Sequence, residues 1–303
     1  MKQKILLIGG PTAVGKTKLG ITCAKVFDGE IISADCEQIY KHLDIGSAKP
    51  TKFEQEQAVH HMIDILEPTD SFSVAEFKLR ATKIIDDLLK KGKLPIIVGG
   101  TGLYLKTLLF PYELGCSQKD DAIRQKYKTL AEHNGNEYVF DILKKVDPQS
   151  ASKLHPNDLK RVVRALEIYE LTGKTKSSQS IKMESPYDYK IIFLNDDRAV
   201  LYDRINKRVD QMFDEGLESE VLGLIKSGLT RDNQSMQGIG YREFFDYVDG
   251  LVSHEQLVEN IKKDSRNYAK RQITWFRHME NAQECSIQNI EHILDDIKNW
   301  LKN

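Results

Sequence analysis

The feature that most restricts the fold of this chain is the segment of residues 10–17, Gly-Pro-Thr-Ala-Val-Gly-Lys-Thr, which matches the phosphate-binding pattern G-x-x-x-x-G-K-[ST]. A short apolar run, residues 4–9, precedes this segment and is typical of a buried parallel strand. A helical pattern with Leu19 and Cys23 on its inner face follows. This order of strand, loop and helix is the context that a P-loop needs, so we predict an α/β domain built around one.

The residue types of this loop suit a diphosphate-like group. Its glycines allow successive backbone amides to point inward, and the helix that follows adds the positive end of its dipole. Lys16 can neutralise phosphate oxygens, and the Thr17 hydroxyl can bind a phosphate-bound Mg²⁺. A chance glycine-rich turn is the alternative, which the flanking strand and helix disfavour. The predicted diphosphate-binding residues are Gly10, Pro11, Thr12, Ala13, Val14, Gly15, Lys16 and Thr17.

Further strand and helix signals alternate along the chain. Residues 31–35, 95–100 and 190–194 are short runs rich in isoleucine, and Ser73 with Glu76 forms a capping-box pattern that begins a long amphipathic helix. Alternating strands and helices indicate a parallel sheet that is covered on both faces. The predicted fold class is therefore α/β, with a P-loop NTPase-like parallel sheet core.

The pattern changes in the middle of the chain. Residues 112–188 are polar, helical and rich in lysine and glutamate, and they contain no convincing strand. We predict that this segment is a helical insertion domain. Residues 1–111 and 189–303 would then form the α/β core together with the helices of the C-terminal region.

Composition excludes few functions. The formal net charge is −1, so no global field attracts nucleic acid, although a local basic patch could. The four cysteines are scattered and form no CxxC pair, which argues against a zinc site and a disulfide framework and favours a reducing cytoplasm. Neither a signal peptide nor an apolar segment long enough to span a bilayer is evident, so we expect a cytoplasmic protein.

Two loops at the expected carboxyl ends of strands carry candidate polar groups. Asp35 could hold Mg²⁺ through water or act as a general base, and the alternative is a helix N-cap. Thr101 stands among three glycines, Gly99, Gly100 and Gly102, where the backbone can approach a ligand closely. A tight turn between strand and helix explains the same glycines equally well.

Three helical segments carry basic residues whose default explanation is a solvated face. Residues 157–172 present Lys160, Arg161 and Arg164 on the side opposite an apolar stripe. Arg204 and Arg208 lie one turn apart, where an arginine pair could stabilise charge on a departing phosphate. Residues 261–278 carry six lysines or arginines against one acid, interleaved with Tyr268, Trp275 and Phe276. Such a segment suits an RNA-binding surface, or a helix with Trp275 and Phe276 in the core.

Taken with their order, these segments resemble the bacterial tRNA dimethylallyltransferases, also called isopentenyl-tRNA transferases. The resemblance extends from residue 5 to about residue 278 and is far more specific than the P-loop alone. The matching blocks are residues 9–17, 35–40, 44–50, 99–104, 157–173, 236–243 and 266–277. One departure follows the aspartate of the second block, where Cys36-Glu37 replaces the usual serine and methionine.

The resemblance implies transfer of a dimethylallyl group from dimethylallyl diphosphate to N6 of adenosine 37 in tRNAs that read codons beginning with U, with Mg²⁺ and without nucleotide hydrolysis. It implies a P-loop core with a helical insertion that contacts tRNA, and a flipped-out adenosine that meets the prenyl diphosphate in a channel. We expect a monomer to suffice.

The resemblance also implies roles for residues. Asp35 matches the general base, Arg208 the arginine that stabilises the leaving diphosphate, and Thr101 a hydrogen-bonding group near the base or the diphosphate. Gln38 lies in the loop expected to meet the edge of the flipped base. The residues expected to contact tRNA are Asp35, Cys36, Glu37, Gln38, Thr101, Arg124, Lys160, Arg161, Arg164, Gly240, Tyr241, Arg242 and Arg271.

Three other hypotheses remain open at this point. Prenyl transfer to free AMP would use the same diphosphate loop, but it leaves the basic helices unexplained. A P-loop kinase would need an arginine-rich lid over ATP, and no such segment is evident. A non-catalytic RNA-binding module would leave the P-loop without purpose.

Overall fold

The computed structural model describes residues 2–110, 120–179 and 184–303. The chain divides into two compact units, one of Met1–Leu109 with Pro186–Asn303 and one of Phe110–Ser185. The predicted insertion, 112–188, begins outside the described residues, and Cys116 lies outside them too. The role of this insertion in contacting tRNA stays a prediction.

The first unit contains a parallel sheet whose strands lie in the order β3-β2-β4-β1-β5-β6. All four predicted strands are present, which confirms the P-loop NTPase-like sheet. The strands are β1 (Gln3–Gly9), β2 (Gly29–Ser33), β3 (His60–His61), β4 (Leu94–Gly99), β5 (Tyr187–Leu194) and β6 (Ala282–Cys285).

Strands β3 and β6 form the two edges of this sheet and were not predicted. β3 consists of only two histidines, and β6 has the sequence Ala-Gln-Glu-Cys. Neither strand shows an apolar run or an alternating pattern, because edge strands pair on one side only and need no continuous apolar surface. The central strand β1, in contrast, buries its last five residues completely.

Helices cover both faces of the sheet and extend beyond its ends. The Ser73 capping box is present, and it begins α3 as predicted. The helices of this unit are α1 (Lys16–Val26), α2 (Lys52–Gln57), α3 (Val74–Lys90), α4 (Gly102–Leu109), α9 (Arg198–Asp214), α10 (Leu217–Lys226), α11 (Phe244–Val248), α12 (His254–Arg277) and α13 (Ile290–Lys302). Within the described residues, no helix combines the length and the apolarity that a bilayer crossing requires.

The second unit is helical throughout its described residues. Its helices are α5 (Asp121–Asn134), α6 (Asn136–Val146), α7 (Pro148–Ala151) and α8 (Leu159–Thr172). Leu166, Val162 and Phe140 belong to its apolar core. The apolar pattern of residues 157–172 predicts that Tyr169 faces inward with Leu166, but Tyr169 is exposed.

Candidate active site

The P-loop joins β1 to α1 and has the backbone conformation that its glycines predict. Gly10 and Gly15 have φ angles of 148° and 99°, which L side chains rarely adopt. A Cβ atom at Gly10 would lie 2.4 Å from the carbonyl oxygen of Leu194. The amides of Ala13, Val14 and Gly15 make no hydrogen bond to any described residue and are open to a ligand.

Lys16 begins α1 with its ammonium group folded over the loop. Its Nζ donates to the carbonyl oxygen of Pro11 at 2.7 Å. The pKa of Lys16 is lowered to about 8, chiefly by burial; the charge of Asp35 opposes this change and the charge of Arg208 adds to it. Lys16, Asp35 and Arg208 are therefore close enough to interact, and the ammonium form of Lys16 predominates only below about pH 8.

Arg208 lies beside Lys16 without a close partner. Its only hydrogen bond to a described residue is a long one, 3.5 Å from Nη1 to Oγ1 of Thr12. Burial lowers its pKa, with Glu54 and Asp35 among the charges that oppose the change. Arg204, one turn earlier in α9, is instead paired with Asp196 at 2.9 Å. Of the two arginines, Arg208 is thus the one available to an anion in the P-loop.

Asp35 follows β2 by two residues and anchors the loop that it begins. Its Oδ1 accepts hydrogen bonds from the backbone of Glu37 at 2.9 Å and of Gln38 at 3.4 Å. No helix begins here, so the alternative of a helix N-cap is wrong. The second carboxylate oxygen, Oδ2, has no hydrogen bond within the described residues and can accept a proton.

The three residues after Asp35 are held inside the protein. The Gln38 side chain donates to the carbonyl of Ala48 at 3.2 Å and accepts from Ser33 at 2.9 Å. Both ends of the Gln38 side-chain amide therefore already have hydrogen-bond partners within the protein. Glu37 has a buried Oε2 without a hydrogen-bond partner, and burial together with the charge of Asp35 raises its pKa to about 8.

Thr101 presents a buried hydroxyl to the same region. Its amide donates to the carbonyl of Ala34 at 3.3 Å, which places it next to the Asp35 loop. Cys36 and the Tyr268 hydroxyl are its polar neighbours, yet Oγ1 completes no hydrogen bond with any described residue. A buried hydroxyl in this state has capacity for a ligand.

Gln272 is a site residue that the sequence interpretation missed. It is buried in α12, where its Oε1 accepts from the amide of Thr12 at 3.0 Å and its Nε2 donates to the carbonyl of Gly100 at 3.1 Å. One amide therefore joins the P-loop to the loop of Thr101. The available signal was a polar residue on the buried face of α12, between Ala269 and Phe276.

The packing of α12 decides between the two interpretations of its sequence. Phe276 is fully buried, and a Cβ atom at Gly9 would lie 2.1 Å from its ring. Trp275 packs over Gly102, with part of its indole exposed. Phe276 thus belongs to the core and Trp275 lies at the surface, while Arg271 is exposed and stacks over the Tyr268 ring at 5.5 Å.

The residues expected to contact tRNA are in different environments. Tyr241 is fully buried and offers RNA no surface, and the neighbouring Gly240 lies against Gly46. Arg242 is half exposed and pairs with Glu243 and Asp264.

In the helical unit, the buried Glu167 accepts from Arg124 at 2.9 Å and from Arg164 at 2.6 Å. These hydrogen bonds outweigh the effect of burial and lower the Glu167 pKa. Lys160 and Arg161 remain exposed, Arg161 in a surface pair with Asp158.

The donor atoms near the P-loop suit a Mg²⁺ ion that arrives with its phosphate ligand. Among the described residues, no group of three or more His, Cys, Asp or Glu could hold a metal by itself. The Thr17 hydroxyl has no hydrogen-bond partner in that part of the chain. A single hydroxyl that shares an ion with substrate phosphates and water is the arrangement Mg²⁺ prefers.

Comparison with known proteins assigns the chain to a family. The model of the IPP transferase family matches residues 38–279, and that of the isopentenyl transferases matches residues 3–65. A tRNA dimethylallyltransferase of Oceanobacillus iheyensis is 48% identical over 310 residues, covering 100% of this chain and 99% of that protein. One from Thermoanaerobacter sp. is 49% identical over 307 residues, covering 100% and 98%.

Solved structures agree with this assignment. The full-length tRNA isopentenylpyrophosphate transferase of Bacillus halodurans has a TM-score of 0.76 at 43% identity, covering 99% of this chain and 97% of that one. A eukaryotic dimethylallyltransferase described as acting on tRNA has a TM-score of 0.82 at 29% identity, covering 98% and 80%. A family model that matches most of the chain, relatives almost half identical along all of it, and a shared fold together establish that the chain belongs to the IPP transferase family.

Proposed function

We propose that this enzyme transfers a dimethylallyl group from dimethylallyl diphosphate to N6 of adenosine 37 in tRNAs that read codons beginning with U. The coarser activity, prenyl transfer to tRNA, follows from membership of the family and from full-length relatives named tRNA dimethylallyltransferase. The observation that carries the catalytic part of the proposal is the proximity of Asp35 to Lys16 and Arg208, which places a proton acceptor next to the diphosphate-binding loop. The position of the adenosine and the codon set rest on the resemblance of the sequence blocks to the family.

In the proposed reaction, the P-loop would bind the diphosphate of the substrate. The amides of Ala13, Val14 and Gly15, with Lys16 and Arg208, would surround the diphosphate of the substrate. Negative charge grows on that group as the allylic C1–O bond breaks, so cationic and amide donors act most strongly in the transition state. Mg²⁺ would supply further positive charge when bound, held on the protein side by the Thr17 hydroxyl.

The nucleophile is the exocyclic amine of adenosine, whose lone pair is delocalised into the purine ring. As the N6–C1 bond forms, the amine must lose a proton, and Asp35 would accept it on its open Oδ2. The electron pair of the broken C1–O bond leaves with the diphosphate. The unpartnered Thr101 hydroxyl would donate to, or accept from, the base or the diphosphate at the same place.

Exposed basic residues would bind the tRNA backbone. Lys160 and Arg161 in the helical unit and Arg271 on α12 have side chains in solvent, as phosphate contacts require. A target base inside an anticodon loop must leave its stack to reach such a site, so we infer a flipped-out adenosine. The enzyme would act as a monomer in the cytoplasm.

Nucleoside mass analysis tests this proposal. The protein is incubated with dimethylallyl diphosphate, Mg²⁺ and one of three acceptors: an anticodon stem-loop with adenosine 37, the same stem-loop with guanosine there, or AMP. We expect dimethylallyladenosine from the first acceptor only. Product from AMP at a comparable rate would favour the free-nucleotide alternative.

The role of Asp35 is tested with Asp35→Ala, and Asp87→Asn, an exposed carboxylate on α3, serves as the control. We expect Asp35→Ala to bind the stem-loop normally and to form product at least roughly a hundredfold more slowly. A normal rate would rule out Asp35 as the general base.

A further inference from the structure

Three consecutive backbone amides downstream of Asp35 are held by a single carboxylate from a distant part of the chain. The amides of Asp44 and Ile45 donate to Oε2 of Glu220 at 3.0 and 2.8 Å, and that of Gly46 donates to Oε1 at 3.1 Å. Glu220 belongs to α10 and lies 174 residues beyond Gly46. Successive amides that converge on one anion form an anion-binding nest, and here the protein supplies the anion itself.

Tyr241 completes this arrangement from inside the protein. Its hydroxyl donates to Oε1 of Glu220 at 2.8 Å and accepts from the amide of Ser47 at 3.0 Å. Its ring lies against Gly46, where a Cβ atom would be 2.6 Å from ring Cζ, so this position excludes any other residue. Together, Glu220 and Tyr241 satisfy four successive amides of the segment 44–47.

Ala48, the residue that follows this segment, is hydrogen-bonded to the loop of Asp35. The carbonyl of Ala48 accepts from the Gln38 side chain at 3.2 Å, and Ser33 donates to the other end of the same amide at 2.9 Å. The Gln38 and Glu37 amides in turn donate to Oδ1 of Asp35. Hydrogen bonds joined by short stretches of backbone therefore connect Glu220 to the carboxylate of Asp35.

Lys49 fixes the far end of the same segment. Its ammonium group, almost entirely buried, donates to the carbonyl of Tyr40 at 2.9 Å and contacts carboxylate oxygens of Asp44 and Asp64 at 2.5 Å each. These contacts restrain both ends of the segment, so we expect a displacement at residues 44–47 to be passed on to Gln38 through Ala48.

We propose that Glu220 and Tyr241 are positioning residues for Asp35, which they hold in place through residues 44–48 and Gln38. This inference rests on the proposed role of Asp35 as proton acceptor. A general base must lie within hydrogen-bonding distance of the proton that it removes, and a misplacement of about 1 Å can lower a rate by roughly a hundredfold.

The test compares Glu220→Gln with Glu218→Gln in single-turnover prenyl transfer to a stem-loop. Glu218 lies on the same helix and accepts from Tyr247 at 3.1 Å, without a contact to residues 44–48, so it is a matched control. An amide at position 220 keeps one accepting oxygen and loses the other. We expect the maximal rate of Glu220→Gln to fall roughly 10- to 100-fold, with the half-saturating dimethylallyl diphosphate concentration changed by less than about twofold.

Tyr241→Phe is the milder second variant, with Tyr247→Phe as its control. It keeps the ring against Gly46 and removes only the hydroxyl, so we expect a rate roughly 3- to 10-fold below that of the wild type. Circular dichroism and stem-loop binding establish that each variant is folded. If Glu220→Gln is not folded, the Tyr241→Phe comparison decides the proposal by itself.

A double-mutant cycle separates positioning from a general structural effect. In an Asp35→Glu background the longer carboxylate is already displaced, so Glu220→Gln should lower the rate by a much smaller factor than in the wild type. An equal factor in both backgrounds, or a Glu220→Gln rate equal to that of Glu218→Gln, would overturn the proposal. A wild-type rate in the Asp35→Ala variant would be a different result. It would contradict the proposed role of Asp35 as general base, and it would do so without any change at Glu220.

Discussion

Two loops that follow β1 and β2, the strands on either side of β4, gather backbone amides around an anion, and they differ in where the anion comes from. In the P-loop, after β1, the amides of Ala13 to Gly15 have no partner in the described residues. In the loop after β2, the amides of residues 44–47 are satisfied by Glu220 and Tyr241. In the proposed function the first loop would be completed by a ligand, whereas the second is complete in the free protein.

The uncompensated charges of the two loops also have opposite signs. The phosphate side holds the buried cations Lys16 and Arg208, and the side of the proposed base holds the acids Asp35 and Glu37. A diphosphate brings the charge that the cations lack, whereas neither substrate brings a cation to Glu37. The phosphate side should therefore depend strongly on its ligand, and the other side on the protein alone.

The strongest test of the phosphate side is Arg208→Ala, compared with Arg204→Ala. Because Arg208 is partly buried and free of close partners among the described residues, its charge should act on the departing diphosphate, and we expect kcat/KM for dimethylallyl diphosphate to fall roughly a thousandfold. Arg204 is already paired with Asp196. Its loss should lower kcat/KM less than about tenfold, and equal losses in the two variants would remove the distinction drawn here.

Gln272→Leu tests the connection between the P-loop and the loop of Thr101. The substitution keeps the approximate volume and removes both hydrogen bonds, which leaves the Thr12 amide and the Gly100 carbonyl without partners. We expect kcat to fall roughly tenfold and the free energy of unfolding by about 1–3 kcal/mol.

The measurements for Gln272→Leu are steady-state kinetics and urea unfolding, with Gln256→Leu, on the exposed start of α12, as the control. If Gln272→Leu lost stability but kept the wild-type kcat, the amide would serve folding alone.

Sequence reasoning worked well where the determinants are local. The P-loop, the Ser73 capping box and the four central strands each depend on residues within one short segment, and all are present. The edge strands were missed because they carry no apolar pattern.

Contacts between distant segments could not be predicted in the same way. Gln272 meets Thr12 across 260 residues and Glu220 meets Gly46 across 174, and no single segment encodes either pairing. Tyr241 belongs to residues 236–243, a block whose resemblance to the family implied a contact with tRNA. The same residue types also suit a tight internal contact, because Gly46 and Gly238 leave room for the Tyr241 ring and the Glu37 carboxyl.

The charge state of Lys16 predicts a pH limit for the phosphate side. Its pKa of about 8 in the free protein is lowered from the ordinary value, so the ammonium form is present below pH 8 and is lost above it. We expect kcat/KM for dimethylallyl diphosphate to fall about fivefold between pH 8 and pH 9. A Lys16→Arg variant, whose charge persists, should show a flatter pH profile of kcat/KM. An equally steep fall in that variant would mean that another group causes the loss of activity above pH 8.

Glu37→Gln is expected to have the smallest effect, and to increase stability. The pKa of Glu37 is raised to about 8 in the folded protein, so the folded state binds this proton more tightly than the unfolded chain does. The stabilisation that this tighter binding provides is complete below about pH 4 and is lost as the pH rises towards 8. A glutamine has no such dependence, and its Tm should exceed that of the wild type by about 2 °C or more at pH 8 and by less at pH 5.

Scanning calorimetry at the two pH values, with the exposed Glu56→Gln on α2 as the control, measures this difference. A Tm difference that stayed constant from pH 5 to pH 8 would mean that Glu37 finds a cationic partner in the folded protein. The side of the proposed base would then be compensated like the phosphate side, and the contrast between the two loops would be lost.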